Sequence, residues 1–247
     1  MGRPTDPKKE AIVQGEFHGS NKDANTLLER NLEEWDTLLV EGREPVYSLQ
    51  NSKFGFEYYA IGAMFLTTAE RYFHEVSDKL GIAQQDPVDE AEIDSNKRID
   101  AEHREIWGFT DRSLRWTLLL FAALGSIVIL IQPEEFVYLS DKSFPWFFYQ
   151  QWHSYLLFFP VLPGLVHIFT VVNPTNSSKR NQVMVENIVE YTTEKDYDKA
   201  LILVGEMHRE GIVKRLEEQG WDIESNQTHS QLGTRLSSIY NLFGDWR

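Results

Sequence analysis

The sequence of 247 residues contains no cysteine. Disulfide frameworks, thiolate metal sites and a cysteine nucleophile are therefore excluded, and any bound metal must be held by His, Asp or Glu. A phosphate-binding glycine loop, a dinucleotide fingerprint and a Gly-x-Ser-x-Gly motif are also missing from the sequence. These absences leave kinase, dehydrogenase and serine hydrolase functions without a supporting motif.

Basic residues are few, since 24 Lys and Arg stand against 38 Asp and Glu and the formal charge is -14. Phosphate affinity needs a concentrated surplus of basic residues, so nucleic acid is not an expected partner. The acidic excess resembles the surface of proteins from high-salt organisms, which would indicate a halophilic archaeal source. An ordinary acidic surface accounts for the excess equally well. Residues 1–10 lack an apolar core, so we expect no cleavable secretory signal.

Two long uncharged stretches lie in the middle of the chain. Residues 116–133 include LLLFAALGSIVILI, and residues 143–178 include FFYQQWHSYLLFFPVLPGLVHIFTVV, with Pro160 and Pro163 inside the second run. A membrane helix needs about 20 apolar residues, and proline kinks or tilts a helix. The pattern predicts a two-helix transmembrane hairpin at residues 116–175. The alternative is a buried helical hairpin in a large soluble core.

The hairpin (residues 116–175) separates an N-terminal part (residues 1–115) from a C-terminal part (residues 176–247). Basic residues flank the hairpin on its outer sides, and the connector between its helices has a negative balance. These basic residues are Arg112, Arg115, Lys179 and Arg180. By the positive-inside rule, we predict a two-pass protein of the cell membrane with both termini in the cytoplasm.

The N-terminal and C-terminal parts carry the same tetrapeptide pattern, Gly-Glu-x-His, at Gly15–His18 and Gly205–His208. In both parts an apolar strand precedes the motif, and a helix and a Trp-Asp pair follow it. From glycine to tryptophan the gap is 20 residues in the first copy and 16 in the second. Strand, turn and helix in succession predict an α/β fold with a mainly parallel sheet and flanking helices, split by the hairpin.

The two motifs predict a metal site. Ligands bind at the carboxyl ends of strands in open α/β sheets, where each motif is expected to lie. Brought together there, Glu16, His18, Glu206 and His208 would offer two imidazoles and two carboxylates, a set suited to Mn, Co or Zn. Such an ion activates water and polarises a carbonyl, so the natural reaction is hydrolysis.

The catalytic candidates are carboxylates and arginines at the same expected edge. Glu16 and Glu206 suit metal binding and general-base catalysis equally, so their roles stay open. Glu41 is a third carboxylate, after the second strand, while Arg43 and Arg180 could neutralise carboxylates or stabilise an oxyanion. A further predicted helix, around residues 99–115, carries Asp100 as a lesser ligand candidate, and His229 is interpreted as a surface or packing residue.

These segments resemble the TraB/PrgY/Tiki superfamily, which is related to the ChaN and erythromycin-esterase folds. The matching segments are GEFH with LLVEGRE, KRNQVM, and LILVGEMHREGIVKRLEEQGW. The resemblance assigns the family's site positions to His18, Glu41, Arg180 and His208. It implies a metal-dependent protease, as in the Tiki branch, or a role in shutting down peptide pheromone signals, as in the TraB/PrgY branch.

From these features we predict a membrane-anchored, metal-dependent hydrolase that acts on peptides or related amides. One alternative is a non-catalytic membrane signalling or ligand-binding protein that uses the same crevice. Another is an ester hydrolase in which a histidine acts as general base without a metal. Metal content and turnover distinguish the three.

Overall fold

A parallel β-sheet forms the centre of one of the two units into which the chain divides. The computed structural model describes residues 8–16, 21–43, 53–79, 88, 91–96, 98–131, 151–231 and 233–235. Its strands are β1 (Glu10–Glu16), β2 (Thr37–Val40), β3 (Ser95–Asn96), β4 (Lys199–Gly205) and β5 (Asp222–Asn226). They run in parallel in the order β3-β2-β4-β1-β5. The predicted α/β class with a mainly parallel sheet is therefore confirmed.

The two central strands of this sheet unit are buried because both of their faces are covered. Ile12 and Leu201 pack on one face against the first helix, α1 (Asn21–Leu28), whereas Val13 and Ile202 belong to the core on the opposite face. Successive side chains of a strand point to opposite faces, so neighbours in sequence enter different cores. Full burial of one such side chain stabilises the fold by about 2 kcal/mol.

Two long helices of the sheet unit, α6 (Pro174–Glu194) and α7 (Glu206–Glu218), contribute buried side chains to the core that contains Val13. Met184 and Ile188 of α6 and Ile212 of α7 belong to that core. A methyl group at Gly211 would lie 2.1 Å from the Asn181 amide nitrogen. The absence of a side chain at Gly211 therefore allows α7 to approach α6 at Asn181.

Both Gly-Glu-x-His motifs begin at a strand end, as predicted. β1 ends at Glu16, and β4 ends at Gly205, immediately before α7. The predicted helix up to Trp35 was wrong, because α1 ends at Leu28 and a short 3-10 helix, Leu32–Glu34, follows. Asn31, the N-cap residue of this short helix, has an extended backbone conformation, which ends the preceding helical run.

The second unit, called the helical unit here, consists of helices around a separate apolar core. Its helices are α2 (Phe56–Lys79), α3 (His103–Phe109), α4 (Arg112–Ile131) and α5 (Gln151–Val171). The buried members of its core are Phe56, Tyr59, Ala60, Trp107, Ala122 and Val166. Helices α2 and α3, which the sequence placed in the N-terminal part, thus group with the two apolar helices.

The predicted transmembrane hairpin corresponds to α4 and α5. Among the described residues, no helix combines the length and the apolar character needed to cross a membrane. The connector predicted between the two segments lies outside the described residues.

Candidate functional site at the carboxyl edge of the sheet

Polar side chains gather at the carboxyl edge of the sheet, where β1, β2 and β4 end side by side. Glu16 pairs in register with Gly205, so β1 and β4 finish at the same level. Glu41 follows β2, and its backbone N–H donates to the carbonyl of Leu203 at 2.9 Å. The edge therefore collects the acidic residue that ends or follows each of these strands: Glu16, Glu41 and Glu206.

Arg180 on α6 joins two buried carboxylates at this edge. Its Nε donates to Asp100 Oδ1 at 3.0 Å, and its Nη2 donates to Asp100 Oδ2 at 2.6 Å and to Glu41 Oε1 at 2.8 Å. Arg43 adds a second cation, with Nη2 2.8 Å from Asp100 Oδ2. Two cations thus balance two anions, and the loss of any one partner would leave a buried charge uncompensated.

Glu41 also ties this network to the second motif. Its Oε2 accepts a hydrogen bond from the backbone N–H of Gly205 at 2.7 Å. Gly205 is the N-cap residue of α7, and a carboxylate near a helix N-terminus is stabilised by the helix dipole. Glu41 therefore binds both Arg180 and the start of the helix that carries His208.

His208 lies beside Glu41 with a defined orientation. Its Nδ1 is 2.5 Å from Asn181 Oδ1 and 3.2 Å from Ser177 Oγ, while its Nε2 is 3.7 Å from Glu41 Oε1. An amide oxygen only accepts hydrogen bonds, so Nδ1 carries the hydrogen and Nε2 of the neutral ring holds a lone pair. The lone pair is on the nitrogen nearer to Glu41.

Burial keeps this imidazole uncharged. Desolvation lowers the pKa of His208 to about 4, although the nearby Glu41 carboxylate acts in the opposite direction and the Arg180 guanidinium reinforces the decrease. An ordinary histidine titrates near 6.5. At neutral pH His208 is therefore a hydrogen-bonded base with its proton site vacant, which is the state required of a general base or a metal ligand.

Glu206, two residues before His208, belongs to a different network. Its Oε1 accepts from Arg209 Nε at 3.0 Å, and its Oε2 accepts from the backbone N–H of Thr228 at 2.9 Å. A methyl group at Gly15 would lie 1.8 Å from Glu206 Oε2. The glycine of the first motif is thus needed because the carboxylate of the second motif occupies the space above it.

A buried aspartate extends this second network. Asp23 of α1 accepts from Thr228 Oγ1 at 2.6 Å, and it also accepts from the backbone N–H of His229 at 2.8 Å. The Nδ1 of His229 lies 2.8 Å from the same carboxylate. Asp23 therefore holds the segment after β5 against the start of α1.

The structure brings together four of the predicted site residues: Glu41, Arg43, Arg180 and His208. Glu206 is bound in the second network, and Glu16 is the half-buried last residue of β1. His18 lies outside the described residues. The convergence joins segments that are 167 residues apart along the chain, from Glu41 to His208.

The predicted four-residue metal set is not assembled within the described part of the chain. Both carboxylate oxygens of Glu206 already accept hydrogen bonds. In that part of the chain, no group of three or more His, Asp or Glu residues has a geometry that could hold a metal ion. His208 Nε2 and Glu41 Oε1 provide a nitrogen and an oxygen donor of the kinds that zinc and manganese bind.

Two residues of the site were not assigned to it from the sequence. Asp100 was considered on a predicted helix at 99–115, but α3 begins only at His103, and Asp100 lies before it in the Arg180 network. Asn181 follows Arg180 directly and orients His208. Its polar side chain on a buried helix face was the available signal.

The chain matches no protein-family model, no curated protein and no solved structure.

Proposed function

We propose that this protein is a hydrolase of the TraB/PrgY/Tiki kind that cleaves a peptide or related amide at the carboxyl edge of its sheet. The supporting observation is the convergence of Glu41, Arg180 and His208 in one buried network. The resemblance to the TraB/PrgY/Tiki superfamily assigns all three to a single site. A crevice at this edge is where open α/β sheets bind ligands.

His208 is the proposed general base. Its Nδ1–H is held by Asn181, so its Nε2 is the nitrogen that accepts a proton from an attacking water. The Glu41 carboxylate, 3.7 Å from Nε2, stabilises the imidazolium that this transfer creates. Arg180 positions Glu41 and offsets its charge, because its Nε and Nη2 atoms already donate to Glu41 and Asp100. The arginine is a positioning residue in this scheme.

The proposal retains a divalent ion, with three proposed protein ligands in place of the four predicted from the sequence. His208 and Glu41 would supply a nitrogen and an oxygen ligand, and the histidine of the first motif, His18, is the proposed third donor. When bound, such an ion would activate water and polarise the scissile carbonyl. Glu206 is left out of this ligand set because its carboxylate belongs to the second network. Glu41 is kept because its Oε1 lies 3.7 Å from His208 Nε2.

Attachment to a lipid bilayer through the helical unit is the second element of the proposal. Among the described residues, every large apolar side chain that is exposed lies in that unit. The most exposed members on α4 are Leu120 and Phe121, at 60% and 70%. Exposed apolar patches mark protein or membrane contact. The two-pass topology predicted from the sequence is the stronger form of this attachment.

Membrane fractions of expressing cells test the attachment. Extraction with alkaline carbonate releases peripheral proteins and retains integral ones. Retention would support the two-pass topology, and release would limit the proposal to a surface attachment. If the full chain were recovered in the soluble fraction of the cell lysate without any extraction, membrane attachment would be refuted altogether.

Turnover and metal content test the hydrolase. Detergent-purified wild type is compared with His208→Gln and with His229→Gln, a control in the second network, using a quenched peptide library and elemental analysis after dialysis against Mn, Co or Zn. General-base catalysis contributes about 10²- to 10⁴-fold, so His208→Gln should lose that factor and the control should not. Equal turnover in the wild type and His208→Gln would refute the assignment.

The metal assay separates the two catalytic schemes. Metal bound by the wild type and lost in His208→Gln supports the metal-dependent form. Turnover without bound metal supports the metal-free hydrolase, including the esterase alternative.

The burial of Arg180 and Glu41, whose side chains are 2% and 7% exposed, favours a third function, in which the network holds a ligand or the fold without catalysis. Peptide binding without turnover would identify that function.

A further inference from the structure

The helical unit contains a small cavity that the proposed hydrolase site does not use. Its volume is about 320 Å³, and its lining consists of Phe54, Arg112, Arg115 and Trp116. Two cationic side chains and two aromatic rings therefore enclose one space. The three lining residues on α4 lie in the first five positions of that helix, where polar residues give way to the apolar run.

The wall of this cavity is held in place by aromatic contacts. The rings of Phe54 and Trp116 stack with centroids 4.7 Å apart. The indole Nε1 of the buried Trp107 donates to the carbonyl of Phe54 at 3.2 Å, which fixes the backbone beside the cavity. The guanidinium of Arg115 lies over the Trp107 ring, 5.9 Å from its centroid. The cation and the aromatic wall are therefore preorganised together.

The wall of this cavity is largely apolar, and cationic groups lie around it. Within the described residues, the Nε of Arg115 is buried and has no hydrogen-bond partner. Lys53 lies next to Phe54 in sequence and adds a third cation, with Nζ 3.4 Å from the Gly108 carbonyl. Two acidic residues are close to the lining residues in the sequence, Asp111 directly before Arg112 and Glu57 three positions after Phe54. Guanidinium groups bind phosphate oxygens through fork-like hydrogen bonds.

An apolar surface continues from the cavity along the same helix. Trp116, Leu120 and Leu124 recur every four residues on α4 and are 51%, 60% and 52% exposed. Residues four apart lie on one helix face. Basic side chains, an aromatic ring and then apolar side chains thus follow each other along α4. A phospholipid presents the same order of chemistry, with a phosphate headgroup, an interfacial region and an acyl chain.

We propose that the arginines beside this cavity bind the phosphate headgroup of an anionic phospholipid, with the acyl chain along the exposed α4 face. Arg112 and Arg115 contact the phosphate, and Phe54 and Trp116 lie at the level of the headgroup. The inference rests on the proposed membrane attachment and adds to it a site and a lipid class. A free phosphate ester would satisfy the arginines but leave the apolar face of α4 uncovered.

The test compares lipids that differ in charge. The full chain in neutral detergent is titrated with phosphatidylglycerol, phosphatidylcholine or glycerol phosphate, and bound molecules are counted by native mass spectrometry. Two cations near a lipid headgroup correspond to about a thirty-fold preference for the anionic lipid. The wild type should show that preference and should bind glycerol phosphate more weakly than phosphatidylglycerol.

The variants assign the preference to the cavity. The double substitution Arg112→Gln with Arg115→Gln should abolish it, whereas Lys22→Gln with Lys214→Gln, which removes two exposed cations of the sheet unit, should retain it. Circular dichroism checks that both variants are folded. A preference that persists in the arginine variant, or equal binding of glycerol phosphate and phosphatidylglycerol, overturns the proposal.

The same experiment separates this inference from the membrane attachment. Equal binding of both phospholipids by the wild type would refute the headgroup site and leave the attachment standing. If the wild type bound neither phospholipid and the protein were recovered from cells in the soluble fraction, the headgroup site and the membrane attachment would both be refuted.

Discussion

Acidification tests the burial of His208, because the folded protein and the unfolded chain bind its proton with different affinities. Burial lowers the pKa of His208 to about 4. An unfolded histidine titrates near 6.5, so between these pH values the unfolded chain takes up a proton that the folded protein does not. The free energy of unfolding therefore falls as the pH falls. The contribution of His208 to the free energy of unfolding is fully present above about pH 6.5, and it is lost once the pH falls to about 4.

The magnitude follows from the interval between the two pKa values. At about 1.4 kcal/mol per pH unit, the interval from about 6.5 to about 4 corresponds to about 3 kcal/mol in total. Of this, about 2 kcal/mol is lost between pH 7 and pH 4.5. A loss of that size lowers the thermal unfolding midpoint of a chain this long by roughly 5 to 8 °C.

The assay is thermal or urea unfolding at pH 7 and pH 4.5 for the wild type and His208→Gln. The two proteins differ in this one ionisable side chain, so the difference between their pH dependences isolates the histidine. We expect the wild type to lose about 2 kcal/mol more than the variant. Equal pH dependence in the wild type and His208→Gln would show that the imidazole is not buried in its neutral form.

Two further predictions concern the networks around the site. Arg180→Met leaves the carboxylates of Glu41 and Asp100 buried without their main cation, and unfolding in urea should show a loss of about 3 to 5 kcal/mol. Gly15→Ala places a methyl group 1.8 Å from the Glu206 carboxylate, so the same measurement should show a loss of about 1 to 3 kcal/mol from overpacking.

Each of these predictions has a matched control. Arg30→Gln breaks an exposed ion pair with Glu224, and the expected loss is below about 1 kcal/mol. Gly164→Ala adds a methyl group whose nearest neighbour is 3.8 Å away, an ordinary contact, so little loss is expected. If Arg180→Met and Arg30→Gln were equally stable, the buried network would not contribute as proposed. An unaffected Gly15→Ala would show that Glu206 does not occupy that space.

The three inner strands of the sheet, β1, β2 and β4, were predictable because they contain short apolar runs next to recognisable turns. ALILV, with one charged residue before it, reads as a strand that is buried on both faces, and the structure buries its residues in two opposite cores. The repeated strand, motif and helix indicated parallel pairing, since a helix between strands returns the chain to the same end of the sheet. Local pattern and global fold agree for these segments.

The grouping of side chains at the edge was less predictable, because it depends on contacts between distant segments. Glu41 was expected at the edge from its position after β2, and it is found there. Asp100 was assigned to the helix predicted around residues 99–115. In the structure it precedes α3, where its carboxylate accepts from the N–H of Ala101 and from Arg180. Aspartate favours such positions because its side chain bonds the local backbone.

The second motif distributes its two ionisable side chains between the two neighbours of β4. Residues two apart in a helix project about 200° from each other, and both Glu206 and His208 lie in the first turn of α7. Since β4 lies between β2 and β1, Glu206 extends over Gly15 of β1, whereas His208 faces Glu41 after β2. A repeated Gly-Glu-x-His motif therefore does not by itself assemble four ligands. A reaction beside Glu41 can use His208 while Glu206 holds the opposite side of the edge together.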